Sequence, residues 1–252
     1  MEATSDHNVE PESPSRLVSL DIFRGLIMFL LVAETAGVTR ALSALPTEGS
    51  VWDQVMTQFH HHPWHGLRFW DLVQPFFMFI VGVAMAFSVS RRKENGLSDG
   101  STFRHILLRC ALLLAFGVGL HCIYARELRW ELWNVLSQLS VTILIAYLIM
   151  RWPSTLQILF AFALILLTDL TYRFWPLEGF NEPFVKGKNF GTWVDTILMP
   201  RTIEHPNGGG WVAINCIPTA AHTIWGVVAG QLLLSERTAV RKVAYLVLAG
   251  IA

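Results

Sequence analysis

Residues 60–82, HHHPWHGLRFWDLVQPFFMFIVG, are the stretch from which the fold can be read. Four histidines, at positions 60, 61, 62 and 65, stand directly before a long apolar run. That run carries Asp71 near its start and then no charged residue until Arg91, which predicts a membrane helix. Titratable groups at the edge of hydrocarbon are costly and by default mark a functional site. We therefore interpret this stretch as the reactive edge of a membrane-embedded site.

The composition of the whole chain agrees with a membrane protein. Hydrophobic residues make up 53% of it and charged residues only 15%, whereas soluble domains carry about a quarter charged residues. Ten Trp and sixteen Phe are typical of aromatic belts at two membrane interfaces. The formal net charge is zero, so no nucleic-acid partner is expected. The three cysteines show no CxxC or Cys/His spacing, so we expect neither disulfides nor a metal site.

Apolar runs continue along the rest of the chain and predict an all-α, polytopic transmembrane helical bundle. Lipid permits only helices or closed barrels, and these runs are too long for barrel strands. The six predicted full spans are 17–39, 69–90, 103–123, 132–150, 154–172 and 211–234. A seventh apolar run starts near residue 243 and is half the length that a span needs, so we expect a chain truncated before its C-terminal helices. Within the second span, Gly82 and Ala86 predict close approach of a neighbouring helix.

The termini and turns predict an orientation in the membrane. Residues 1–15 are polar and lack the apolar core of a signal peptide, so they predict a disordered tail ahead of a transmembrane domain over 16–252. The turns after spans two and six are rich in Arg and Lys, and the turn after span four carries Arg151. These three turns would share the cytoplasmic side with the N-terminus. The histidine loop and the loop over 173–210 would then share the opposite face.

Four segments in order, between residues 16 and 234, carry a family resemblance. They are RLVSLDIFRGL, HHPWHGLRFWDLVQPFFMFIVG, WNVLSQLSVTILIAY and GWVAINCIPTAAHTIWGVVAGQLL. Together they resemble the heparan-α-glucosaminide N-acetyltransferase family, and in particular its bacterial relatives. The most specific feature is FRG in the first span followed by H-x-x-W-x-G-L-x-x-x-D-L-V-x-P before the second.

The resemblance implies a multi-helix membrane acyltransferase. Such an enzyme takes an acetyl group from acetyl-CoA on the cytoplasmic side and passes it to a terminal glucosamine amine on the far side. For a bacterial relative, the expected location is the inner (cytoplasmic) membrane. The expected partners are the lipid bilayer, an amino-sugar or glycan acceptor and a second copy of the chain in a homodimer.

The resemblance also implies roles for particular residues. The family's essential histidine stands three residues before the motif's tryptophan, Trp64, and so corresponds to His61, while Asp71 matches the family's aspartate. Asn189 and Asp195, in NFGTWVDTILM, look like the family's pair in the long outer loop.

Two positions depart from the family. Its asparagine near the end of the first span is replaced by Glu34 or Thr35, and an arginine after V-L-Q corresponds to Gln138. These departures leave room for a different acceptor or acyl group.

The chemistry expected of His61, Asp71 and Glu34 is catalytic. Histidine, with an ordinary pKa near ~6.5, can take a proton from an attacking amine at neutral pH. It can instead attack the thioester and carry the acetyl group itself. The sequence leaves both routes open. Either carboxylate could orient the imidazole or hold the acceptor ammonium.

Binding roles are expected at both faces. Trp64, Asn189 and Asp195 are the candidate substrate-binding residues. The candidate residues for the phosphates of acetyl-CoA lie in the cytoplasmic turns, whose charges topology also explains; they are Arg91, Arg92 and Arg104.

A reading without chemistry competes with the enzyme. In it the chain is a transporter of a sugar or related molecule, and Glu34, Asp71 and His61 line a proton or substrate path. Transporters often show matched broken segments in their two halves, and no such pair is visible in the sequence. The enzyme is therefore favoured.

Overall fold

The computed structural model describes residues 17–45, 49–128, 130–199 and 210–251, which fall into two units with a boundary after residue 46. Each unit is described by itself. The first contains α1 (Val18–Thr35) and α2 (Val38–Ser43). Between them Gly37 has a φ of 75°, a left-handed conformation that glycine adopts without steric cost. This turn ends α1 earlier than the predicted span over 17–39.

The second unit contains the other helices, and no strand occurs in the described residues. A 3₁₀ turn, Phe69–Leu72, runs directly into α4, and another, Ala213–Asn215, runs into α9. The helices are α3 (Val51–Thr57), α4 (Val73–Glu94), α5 (Asp99–Ala125), α6 (Val135–Ile149), α7 (Ser154–Phe174), α8 (Phe190–Leu198), α9 (Cys216–Leu234) and α10 (Ala239–Ile251).

Four segments of the described chain are long and apolar enough to cross a membrane: Phe69–Glu94, Asp99–Ala125, Ser154–Phe174 and Ala213–Leu234. They confirm the all-helical membrane class and four of the six predicted full spans. The count of six is not confirmed. Helix α6 has 15 residues, about 22 Å at 1.5 Å per residue, which is less than ~30 Å of hydrocarbon. Helix α1 has 18 residues and contains three charged side chains, those of Asp21, Arg24 and Glu34.

Polar caps decide where three of these helices begin. The side chains of Ser98, Asn134 and Asn189 accept hydrogen bonds from backbone N–H groups in the first turns of α5, α6 and α8. These bonds satisfy donors that have no partner within the helix. The cap at Asn134 explains the late start of α6 relative to the predicted span over 132–150.

The tightest packing in the bundle is between α4 and α9. A Cβ added at Gly82 would overlap the carbonyl oxygen of Thr223, and one added at Gly226 would overlap that of Phe79. One turn further on, Gly230 faces Ala86. The close approach predicted from the small residues of α4 is therefore confirmed, and α9 supplies matching glycines.

The ends of the bundle differ in character. The starts of α4, α6 and α9 and the ends of α5 and α7 lie together at one end, called here the histidine end, where Gln74 of α4 donates to Gln138 of α6 at 2.8 Å. At the other end, Arg151 pairs with Asp99. There the Gln231 side chain donates to the carbonyl of Met150 at 2.7 Å. The predicted turns rich in Arg and Lys, at 91–104 and at Arg151, belong to this second end.

Candidate functional site

His61 and Asp71 meet at the histidine end. The His61 Nδ1 lies 2.7 Å from Asp71 Oδ1. The other carboxylate oxygen of Asp71 accepts the backbone N–H of Arg68 at 2.9 Å and of His62 at 3.2 Å. The Arg68 guanidinium in turn donates to the His61 carbonyl at 2.9 Å. The 3₁₀ turn before α4 thus closes the histidine loop around one carboxylate, which fixes the orientation of the imidazole.

This geometry sets the chemistry available to His61. A carboxylate that accepts from Nδ1–H leaves the lone pair of the neutral ring on Nε2. Among the described residues the His61 Nε2 has no hydrogen-bond partner, and its side chain is 54% exposed. It can therefore act as a base or as a nucleophile toward a bound molecule.

A second histidine–carboxylate pair lies at the same end of the bundle. His121, near the end of α5, places its Nδ1 2.7 Å from Oε2 of Glu131, in the loop before α6. Both side chains are largely buried. Sequence reasoning missed this pair. Its one visible signal is a spacing of ten residues between histidine and carboxylate, the same as from His61 to Asp71.

Two tryptophans connect the two histidines. The ring of Trp211 lies edge-on to His61, with centroids 6.0 Å apart. It stacks on Trp133 at 5.5 Å, with 22° between the planes. Trp133 in turn meets the ring of His121 edge-on at 4.7 Å. Three successive ring contacts therefore run from one histidine–carboxylate pair to the other.

An open cleft of about 500 Å³ adjoins this cluster. Trp64 and Asn189, both predicted to bind substrate, line it. Gly210 and Val212 line it as well, while Trp211 between them contacts His61. The remaining lining residues are His65, Ile165, Thr168, Asp169, Tyr172, Phe184, Asn215 and Pro218.

Two of the predicted binding residues are tied into the wall of this cleft. The Trp64 indole donates to the carbonyl of Phe184 at 2.6 Å. The Asn189 side chain donates to the carbonyl of Val185 at 2.7 Å and caps α8. Both side chains therefore hold the loop over 180–189 in place. Contact between them and a substrate stays a prediction.

Asp195 lies in α8 and is 3% exposed. It is not among the residues that line the cleft. Its Oδ1 accepts the backbone N–H of Ala213 at 2.9 Å, and burial raises the pKa of this carboxyl to about 6. This is the geometry of a residue that positions the segment carrying Trp211. Its predicted role in substrate binding remains untested.

The other predicted residues belong to α1, α4 and α5. Glu34 is exposed in the last turn of α1, within the first unit. Arg91 and Arg92 lie in the last turn of α4, and Arg104 lies near the start of α5. Helix α4 has 22 residues, about 33 Å at 1.5 Å per residue. These arginines are therefore at the opposite end of the bundle from Asp71. No three His, Cys, Asp or Glu side chains come together as a metal site within the described residues.

The chain is similar to proteins of one family. A family model described as "Heparan-alpha-glucosaminide N-acetyltransferase, catalytic" matches residues 16–250. The chain is similar to a human protein named heparan-alpha-glucosaminide N-acetyltransferase, with 29% identity over 169 residues, which is 62% of this chain and 22% of the human protein. It is also similar to the mouse protein of the same name, with 33% identity over 106 residues, which is 42% of this chain and 14% of the mouse protein.

The match therefore spans about a fifth of the length of the human relative. The family model, in contrast, covers nearly all of the chain, including His61, Asp71, Asn189 and Asp195. The resemblance drawn from the four sequence segments is confirmed. The chain belongs to the heparan-α-glucosaminide N-acetyltransferase catalytic family.

Proposed function

We propose that the chain is an integral membrane N-acetyltransferase that moves an acetyl group from acetyl-CoA to the amine of an amino sugar. The observation that carries this proposal is the pair of His61 and Asp71. The carboxylate holds Nδ1 at 2.7 Å, and Nε2 is left without a partner among the described residues. This is the arrangement in which a histidine serves as base or nucleophile at neutral pH.

In the direct route, the amine nitrogen of the acceptor attacks the carbonyl carbon of the thioester. The carbon–sulfur bond breaks, and CoA leaves as the thiolate. The proton lost by the amine goes to Nε2 of His61, and the Asp71 carboxylate stabilises the resulting imidazolium. That proton then passes to the thiolate, so the products are an amide and CoA thiol.

In the covalent route, Nε2 of His61 attacks the same thioester carbon, the carbon–sulfur bond breaks, and CoA leaves as the thiolate. The acceptor amine then attacks the acyl-histidine, the bond between carbon and imidazole breaks, and the proton lost by the amine passes through Nε2 to the thiolate. Both routes use the same nitrogen. Asp71 has the same role in each, because each passes through an imidazolium whose charge a carboxylate stabilises.

We propose the cleft beside Trp211 as the acceptor site. Its wall combines aromatic side chains, Trp64 and Tyr172, with the polar groups of Asn189 and Asp169. Sugars are bound by this combination, because aromatic faces cover the apolar side of the ring and polar groups meet the hydroxyls. On the sequence alone, Glu34 is proposed as a further catalytic carboxylate. The names of the human and mouse relatives support an amino-sugar acceptor.

The donor is proposed to approach from the other end of the bundle. Arg91, Arg92 and Arg104 would attract the phosphates of acetyl-CoA there. We further propose that the donor binds on the cytoplasmic side of the inner membrane of a bacterium, with the acceptor on the far side, and, from the distribution of Arg and Lys in the sequence, that the N-terminus is cytoplasmic. We also propose a homodimer as the assembled form.

The test uses the protein in vesicles supplied with radiolabelled acetyl-CoA and either glucosamine or a muramyl-type amino sugar. Wild type is compared with His61→Ala and with His105→Ala, a control at an exposed position of α5 toward the other end of the bundle. Label that reaches the sugar in wild type and the control but not in His61→Ala supports the proposal. Uptake or binding of the sugar by a wild type that transfers no label would contradict it and would favour the carrier.

A further inference from the structure

The second pair, His121 and Glu131, has no part in the function proposed above. Glu131 is 8% exposed, and a buried carboxylate is costly unless it is paired. It meets His121 on the nitrogen that Asp71 uses on His61, and at the same distance, 2.7 Å. The Glu131 carboxylate therefore fixes the orientation of the His121 ring.

The fixed ring of His121 lies against Trp133. A buried indole N–H normally has a hydrogen-bond partner, but that of Trp133 has none among the described residues. Its own N–H therefore does not hold the indole in place. The ring contact with His121 on one side and the stack on Trp211 on the other do so instead.

The backbone on either side of this stack is also anchored. Gln138 donates to the carbonyl of Trp133 at 3.0 Å, and Asp195 accepts from Ala213, two residues after Trp211. The last contact in the series is the ring of Trp211 against the imidazole of His61. A displacement of His121 would therefore be passed through the two stacked indoles to the proposed reacting group.

We propose that His121 and Glu131 are positioning residues for His61 and act on it through Trp133 and Trp211. The kinetic part of this inference rests on the proposed function, and the chemical part does not. A purely stabilising role for the pair would lower the unfolding temperature. It would leave the reactivity of His61 unchanged in protein that remains folded.

The first test measures how fast diethylpyrocarbonate modifies His61 in the folded protein in vesicles, with the modified residue identified by tandem mass spectrometry. Trp211→Ala removes the ring that covers one edge of the His61 imidazole. His121→Ala removes the ring that holds the stack of Trp133 and Trp211 in place. Either change should make the His61 nitrogen more accessible. We expect His121→Ala and Trp211→Ala each to raise the rate at His61 by about threefold or more. Trp211→Phe retains a ring and should stay near the wild-type rate, as should the control His105→Ala.

The double variant decides whether the effect passes through Trp211. If it does, His121→Ala added to Trp211→Ala produces no further increase, because the route is already broken. Rate increases that multiply in the double variant would overturn the inference, as would wild-type rates in both single variants. If His121→Ala does not fold, Glu131→Gln takes its place, since it keeps the volume of the side chain and removes the charge.

The second test is kinetic. A misplaced imidazole slows the chemical step, so His121→Ala should lower kcat by about tenfold or more and leave KM for acetyl-CoA and for the sugar unchanged. Glu131→Gln should retain more activity than Glu131→Ala, because it keeps an acceptor for Nδ1–H. A wild type without transfer activity would refute the proposed function, and the modification rates would still decide the inference. An active wild type with unchanged kcat in His121→Ala would refute the inference alone.

Discussion

Asp195 accepts a hydrogen bond of 2.9 Å from the backbone N–H of Ala213, which connects α8 to the segment that carries Trp211. Both partners of this bond are buried. This bond ties the segment directly before α9 to α8, and the ring of Trp211 is held where it meets His61. The sequence predicts that the Asp195 carboxylate binds substrate, whereas in the structure it accepts a hydrogen bond from the backbone of Ala213.

The buried carboxyl of Asp195 predicts a pH dependence of stability. Burial raises its pKa from 3.8 to about 6 in the folded protein. The folded state therefore binds the proton more tightly than the unfolded state does. This contribution to stability is fully present below pH 4 and is lost as the pH rises through 6, by about 3 kcal/mol.

Asp195→Asn keeps an oxygen to accept the Ala213 N–H and removes the titration. Thermal unfolding in detergent should show the variant several degrees more stable than wild type at pH 7.5 and similar to it at pH 4.5. Asp53→Asn, at an exposed position of α3, is the matched control. Equal shifts of the unfolding temperature at both pH values would contradict this account of Asp195.

Asp71→Asn should abolish the proposed acetyl transfer without unfolding the protein. Asparagine can still accept one backbone N–H, but it cannot stabilise an imidazolium on His61. We expect kcat to fall by about 10²–10⁴-fold with little change in KM for acetyl-CoA, since the loss concerns the transition state. Transfer rates at saturating substrate check this. A variant with near wild-type kcat would show that the pair is only structural.

The contact between α4 and α9 predicts which glycines tolerate a methyl group. Gly82→Ala and Gly226→Ala place a Cβ against backbone carbonyls of the facing helix, which cannot move aside as a flexible side chain can. Each should cost about 1–3 kcal/mol. Gly119→Ala, in α5, has no neighbour within 4 Å and should be neutral or slightly stabilising. Unfolding temperatures in one detergent compare the three, and equal values would refute close packing at Gly82.

Arg91 and Arg104, at the end of the bundle opposite the histidine end, are proposed to attract the phosphates of acetyl-CoA, which predicts an effect on KM for this donor. Arg91→Gln and Arg104→Gln should each raise KM for acetyl-CoA by about threefold, more at low salt, with kcat unchanged. The control is Arg151→Gln, a change at the same end that removes an exposed ion pair with Asp99. If the control raises KM as much, the effect comes from the general positive field. If no variant raises KM, the donor binds elsewhere.

Much of the fold follows from the sequence because long apolar runs have few alternatives in lipid. The helix boundaries do not, since they depend on local bonds. The cap at Asn134 makes α6 begin after the start of the predicted span over 132–150, and the turn at Gly37 ends α1 before the end of the predicted span over 17–39. The close packing at Gly82 could be predicted from residue size, whereas its partners on α9 needed the tertiary structure.

The candidate site shows the same division. His61 and Asp71 come from a motif in one short loop, so local chain geometry brings them together. His121 and Glu131 have the same spacing, but Glu131 lies in a loop between two helices. The hydrophobic periodicity of the sequence does not predict where such a loop places its side chains. The burial of Asp195 depends on a segment 18 residues away along the chain. No pattern within a single helix carries that information.

The overlap of glycines between α4 and α9 has a mechanical consequence. Two helices whose backbone atoms are in contact leave no space for one to shift toward the other. We therefore expect α4 and α9 to move together. Asp71 precedes one of them and Trp211 the other, and the separation of these two residues is therefore set at Gly82 and Gly226, deep in the bundle. An opening for the proposed donor is therefore expected beside this pair of helices and not between them.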